Sequence, residues 1–213
     1  MQAVAGLGPR RPRRACGERG NTGLDTPIHV VAVVASQAGG NTDRLVGRVL
    51  EAARDSQAGV TVAAIHLGAG PLDQARVDGY VQSLAGADAV VLGTPMYRST
   101  YAAVLKELLE RVPRGGPSER FEGPLRAKAV AIVATGGSHH HFLGADPLID
   151  LLVRYFGAYV VPPVLYGVIR SSGGDAPMDP GLADDAGRFG RALVALARAI
   201  KSDERLGDAR AQI

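Results

Sequence analysis

Tryptophan is absent from the 213 residues, and cysteine occurs once, as Cys16. A single thiol excludes a disulfide within the chain and any metal site built on paired cysteines, a usage that fits a reducing cytoplasm. Aromatic residues make up only 5% of the sequence, so a flat ligand would find few rings to lie between. No apolar run reaches the length of a membrane span. A basic excess is also missing from the body of the chain. The formal charge is +3, and Arg10, Arg11, Arg13, Arg14 and Arg19, set against Glu18 and Asp25, supply all of it. The high isoelectric point therefore describes the amino terminus and is no argument for a nucleic-acid partner.

Residues 1–26 are rich in Gly, Pro and Arg and lack periodicity, the composition of a disordered basic tail. Arg13-Arg14 is not followed by the apolar segment an export signal needs, because the next apolar run, Ile28 to Ala35, is short and β-branched. From there the pattern alternates. Ile28–Ala35 predicts a strand, and Leu45, Val46, Val49 and Leu50 follow at helical spacing. Val60–Leu67 is a second strand, and 71–85 a weak helix opened by Pro71. Ala89–Leu92 is a buried strand ending at Gly93-Thr94-Pro95, which should not continue a central strand. Leu105, Leu108, Leu109 and Val112 mark the next helix face. Ala127–Ala134 and Ala158–Leu165 are further strands, Leu148–Phe156 and Leu182–Ile200 further helices. Five strands each followed by a helix predict one domain over 27–201, with a polar tail at 202–213. The fold class is α/β: a three-layer α/β/α arrangement around a five-stranded parallel sheet in the order 2-1-3-4-5.

In that order the turns after strands 1, 3 and 4 share one rim, where ligands of open α/β sheets bind. The first turn is Ser36-Gln37-Ala38-Gly39-Gly40-Asn41-Thr42. Its glycines admit close backbone approach, and it opens a helix whose free N–H groups and dipole attract phosphate. The alternative is that Asn41 or Thr42 only caps the helix. The turn lacks Lys and Arg, and Asp43 just inside the helix would compete with a phosphate. The second turn runs from Thr94 through Pro95, Met96, Tyr97 and Arg98 to Ser99. Tyr97 could lie against a ring or be a half-buried loop aromatic; Arg98 could meet a nucleotide phosphate or be a plain exposed charge. The third is Thr135-Gly136-Gly137-Ser138, where Gly-Gly lets backbone approach a planar group. His139, His140 and His141 follow, but adjacent residues cannot all face one metal from a regular element.

Pro95-Met96-Tyr97-Arg98-Ser99 followed by Leu105-Lys106-Glu107-Leu108-Leu109 resembles the second flavin-binding loop of the NAD(P)H-dependent FMN reductases. Ala134-Thr135-Gly136-Gly137-Ser138 is similar to the third loop of those members that serve sulfonate-degrading monooxygenases. The resemblance covers roughly 28–200 and implies a flavodoxin-like fold. It implies FMN reduced by NADPH or NADH, with delivery of reduced FMN to a separate monooxygenase. The cofactor-binding set it suggests is Ser36, Gly39, Gly40, Asn41, Thr42, Pro95, Met96, Tyr97, Arg98, Ser99, Thr135, Gly136, Gly137 and Ser138, with no catalytic acid or base and no metal ligand. Arg98 and Arg170 are candidates to read the 2′-phosphate of NADPH. Hydride transfer to a flavin needs stacking and orientation more than proton transfer, which suits a chain showing no nucleophile-base pattern.

The apolar residues at 148–156 surround a single polar stripe, Asp150 and Arg154, so that helix is expected to be covered on two sides, the second by another subunit of a homodimer or homotetramer. Pro147 suits its first turn. Three other functions share the pattern: a quinone or azo-dye reductase with tightly held FMN, a non-enzymatic flavin carrier, and a domain that has lost its flavin. The neutral body argues against a flavodoxin-type electron carrier, whose surface is commonly acidic.

Overall fold

The computed structural model describes residues 26–68, 70–115, 123–169 and 178–207. Residues 1–25 with Cys16, the candidate phosphate reader Arg170 and the last six residues lie outside them. Four long strands form the centre: β1 (Ile28–Val34), β2 (Val60–His66), β3 (Ala89–Tyr97) and, after the two-residue β4 (Thr100–Tyr101), β5 (Ala129–Gly136). Two short strands, β6 (Tyr159–Val160) and β7 (Leu165–Val168), complete the far edge, both paired with β5. The spatial order is β2-β1-β3-β5-β6, with every long pair parallel. With the hairpin strand β4 left out and β6 and β7 taken as two fragments of one strand, this is the expected 2-1-3-4-5 order.

Helices cover both faces. On one side lie α1 (Asn41–Asp55) and, near the carboxyl end, α5 (Pro180–Ser202). They bury Leu45, Val46, Val49 and Ala53 against Phe189, Leu193, Val194 and Ala197. Gly190 lets the two backbones touch, since a Cβ there would fall 2.3 Å from the Val49 carbonyl oxygen. On the other face α2 (Gln74–Gly86), α3 (Ala103–Arg111) and a helical stretch over 139–155 bury Val77, Leu84, Leu105, Leu108, Leu148 and Leu152. Each such large side chain contributes about 1.5–3 kcal/mol when removed from water. Caps fix the helix ends. The Asp73 carboxylate accepts from Arg76 N (2.8 Å), and the Asp179 carboxylate from Leu182 N (3.1 Å). At the carboxyl end of α2, Lys128 Nζ donates to the carbonyls of Leu84 (2.6 Å), Ala85 (2.8 Å) and Ala87 (2.5 Å). Burial pushes that ammonium down to about 8, against an upward pull from Asp88.

Four sequence expectations are corrected. First, β3 does not stop at Gly93 but runs through Pro95 to Tyr97. The reason lies in the ladder: Gly93 accepts from Ala35 N, so Pro95, two residues on, faces the same side. There β1 has already turned away, and a missing N–H leaves no gap. Second, the fifth strand is interrupted at Pro162-Pro163, a cis bond, because neither proline can donate to the ladder. Third, the helix expected over 148–156 is one part of a longer irregular coil: a 3-10 stretch (His139–Ala145), α4 (Asp146–Asp150) and a π turn (Leu151–Tyr155). Pro147 sits in the first turn of α4, as its fixed φ requires. Fourth, Glu204–Gly207 forms a last helical turn, α6, inside the expected tail.

Candidate functional site

The carboxyl rim of β1, β3 and β5 gathers all three turns singled out from the sequence. Gly93 is the hinge of this arrangement. A Cβ there would lie 2.5 Å from Val46 Cγ2 and 3.5 Å from Thr42 Cγ2, so its bareness lets the first turn of α1 press onto the strand end. Thr42 is thereby carried to β5, where its Oγ1 lies 2.7 Å from Thr135 Oγ1 with both residues at most 5% exposed. The first and third turns are thus joined by a buried hydroxyl pair. Of the expected ligand contacts, these two side chains are committed to each other.

The second turn is a tight antiparallel hairpin, with Met96 opposite Tyr101 and Tyr97 opposite Thr100. Its two central residues, Arg98 (φ 50°) and Ser99 (φ 64°), both adopt the left-handed conformation that primed hairpin turns demand. Neither is glycine, so the turn is strained, with each residue costing on the order of 1 kcal/mol. Thr94 anchors the base of the hairpin by accepting from Ala102 N (2.9 Å) and donating to the Pro95 carbonyl (3.0 Å). Gly144 braces its tip, because a Cβ there would lie 2.4 Å from Ser99 O. The 3-10 stretch that follows the third turn therefore supports the second. Tyr97 is 64% exposed, which excludes the half-buried role and leaves its ring free. Arg98 is exposed beside it.

The third turn is held from outside. Tyr166 on β7 donates its hydroxyl to Ser138 O (2.7 Å), and Gly136 is bare because a Cβ would lie 2.1 Å from the Tyr166 hydroxyl oxygen. Burial pushes the Tyr166 phenol up, and likewise that of Tyr101, whose rise is trimmed by nearby Lys106. Both therefore remain neutral at physiological pH. Tyr166 also meets Phe142 edge-on at 6.0 Å. Together they line a cavity of about 560 Å³ with Pro162, Pro163, Phe189 and Arg188. None of the expected contact residues lines it. His139 and His140 are exposed, whereas His141 is half-buried with its Nδ1 shut from solvent and without a hydrogen-bond partner among the described residues.

Around the first turn, Gly39 N donates to Asp43 Oδ2 (2.7 Å), and His66 Nε2 lies 2.7 Å from Asp43 Oδ1. Gly40 precedes α1 without a side-chain cap, so that helix end is not closed by its capping residue. Sequence reasoning found Asp43 but missed His66, Tyr166 and Gly144. A histidine ending a strand and a glycine within a histidine-rich stretch carry no local sign of such contacts.

The chain is similar to the NADH-dependent FMN reductase SfnF of Pseudomonas putida, 30% identical over 92 residues, which cover 43% of this chain and 45% of that protein. The match thus spans about half the length of that relative. Among solved structures, the apo form of an NADH:FMN oxidoreductase (EMOB) superposes with a TM-score of 0.66 at 21% identity, covering 86% of this chain and 97% of the other. A WrbA-like flavodoxin from Agrobacterium tumefaciens superposes at 0.59 with 22% identity, covering 81% and 98%. At such identities the superpositions establish a flavodoxin-like fold. The family model for NADPH-dependent FMN reductase matches residues 28–170, which span all three rim turns, and the chain belongs to that family.

Proposed function

We propose that this protein transfers hydride from NADPH or NADH to FMN and passes the reduced FMN to a separate flavin-dependent monooxygenase. The observation that carries the reading is the convergence of three turns on one rim, joined by the Thr42–Thr135 pair. The bare backbone there suits a flavin. A Cβ added at Gly39 or Gly137 would meet nothing within 4 Å among the described residues, so both positions admit a close-lying group. FMN, when bound, supplies the ring nitrogen that accepts hydride. The phosphate end would lie at the start of α1 (Gly40, Asn41, Thr42), where Gly40 N is bonded to the Gln37 carbonyl (3.1 Å) and the helix dipole favours an anion. Pro95, Met96 and the strained hairpin fix the edge of the ring system, and Gly136, Gly137 and Ser138 border it. The exposed Tyr97 ring stacks, and Arg98 meets the nucleotide phosphate. Orientation, not proton transfer, is the contribution of these residues.

Phe142 (45%) and Leu143 (67%) expose apolar surface where the 3-10 stretch leaves this rim, and Val153 (45%) and Tyr155 (38%) expose more toward the amino end of β5; a second copy of the chain would cover them. NADPH oxidation by the purified protein, with and without added FMN, tests the assignment after its visible spectrum is recorded. Turnover that requires free FMN is expected. A yellow protein that oxidises NADPH with a quinone and no added flavin indicates the quinone-reductase alternative, and no turnover with any acceptor refutes both.

A further inference from the structure

The first turn is partly occupied by the protein's own anion. Asp43 is the one acidic residue in the first turn of α1. Its carboxylate does not point away from the helix end. One oxygen takes the Gly39 N–H (2.7 Å), a donor that belongs to the turn proposed for phosphate. The other is held by His66 Nε2 at 2.7 Å, from the end of the neighbouring strand β2. Gly39 adopts φ +76°, so its backbone is turned as a nest would turn it, yet the acceptor in that nest is a side chain. Both partners are partly shielded, at 23% and 32% side-chain exposure, so water does not fully screen the charge.

We infer that Asp43, oriented by His66, is a specificity-determining residue that weakens recognition of the flavin phosphate, so that this site accepts phosphorylated and unphosphorylated flavins alike and releases FMN readily. The inference rests on the functional reading above. A phosphate monoester entering the turn must either displace the carboxylate from Gly39 N or sit beside it. Both penalties scale with the charge on the ligand. Riboflavin, which carries the same ring and ribityl chain without the phosphate, incurs neither. The turn itself, 36–42, contributes no lysine or arginine, the next base along the chain being Arg44. The consequence is a flavin that exchanges, as a reductase delivering its product to another enzyme requires.

Titration of the full chain with FMN and with riboflavin, by quenching of flavin fluorescence, tests this in the wild type, Asp43→Asn and Asp43→Ser. Removing the charge is expected to tighten FMN binding at least tenfold, about 1.4 kcal/mol, and to change riboflavin binding less than twofold. Two substitutions guard against a local folding defect, since both must give the same ordering. An equal gain for both flavins, or weaker FMN binding in both variants, overturns the inference while leaving the reductase assignment standing. Absence of binding by either flavin to every variant removes both.

Discussion

Replacing Thr42 or Thr135 by valine probes the joint between the first and third turns. The two hydroxyls lie 2.7 Å apart and are almost wholly buried. Either single substitution keeps the branched shape, removes one hydrogen bond and strands the partner hydroxyl away from water. Such stranding costs about 1–3 kcal/mol, more than the 0.5–1.5 kcal/mol net worth of the bond itself. In the double variant no polar atom is left stranded, so the loss should be smaller than the sum of the singles, with a coupling of about 0.5–3 kcal/mol. For a domain of this size 1 kcal/mol shifts Tm by about 2–4 °C, so each single variant should melt roughly 3–9 °C low. Urea unfolding of the four proteins supplies the cycle, and the Kd for FMN is read in parallel. Each single change should weaken FMN binding, because the turns are no longer held in register. Additivity within about 0.3 kcal/mol, or singles as stable as the wild type, would refute the claim that this pair holds the site together.

Two further outcomes are expected. Ser99→Gly relieves a left-handed serine, and against the added freedom of glycine in the unfolded chain it should stabilise by about 0.5–1 kcal/mol. The same change should lower FMN-dependent NADPH turnover, and a variant that gains stability without losing turnover would show that the strained hairpin has no part in orienting the reactants. Lys128→Met removes a buried ammonium whose folded pKa is depressed to about 8. Between that value and the unfolded value near 10.4 the unfolded chain binds more protons than the folded one, so native stability should climb as pH rises through this window. Thermal melts of wild type and variant at pH 7.5 and pH 9.5 should show the wild type gaining on the variant, and parallel behaviour would mean that the ammonium is not desolvated.

Elements and their order were readable because each is written locally, in a period of two for the strands and 3.6 for the helices. The strand order followed from chain topology, and with it the rim on which the three turns meet. What could not be read was set by contacts across the chain. Pro95 looks like a strand terminator by itself, and only the departure of β1 after Ala35 explains why β3 continues past it. Pro162-Pro163 is the converse case: two adjacent prolines without donors are a local signal, and they split the fifth strand. The site divides in the same manner. Gly39, Gly137 and the hairpin residues announce themselves by composition. The partners that hold them, Thr135 for Thr42, Tyr166 for Ser138 and Gly144 for Ser99, lie 28 to 93 positions from what they support. Residues that must approach a ligand are constrained by their own backbone and leave a local mark. Residues that position them are constrained only by the fold. A reading of one sequence therefore recovers the lining of such a rim sooner than its bracing, and Asp43 is instructive because it belongs to both, legible as a misplaced charge yet intelligible only with His66 beside it.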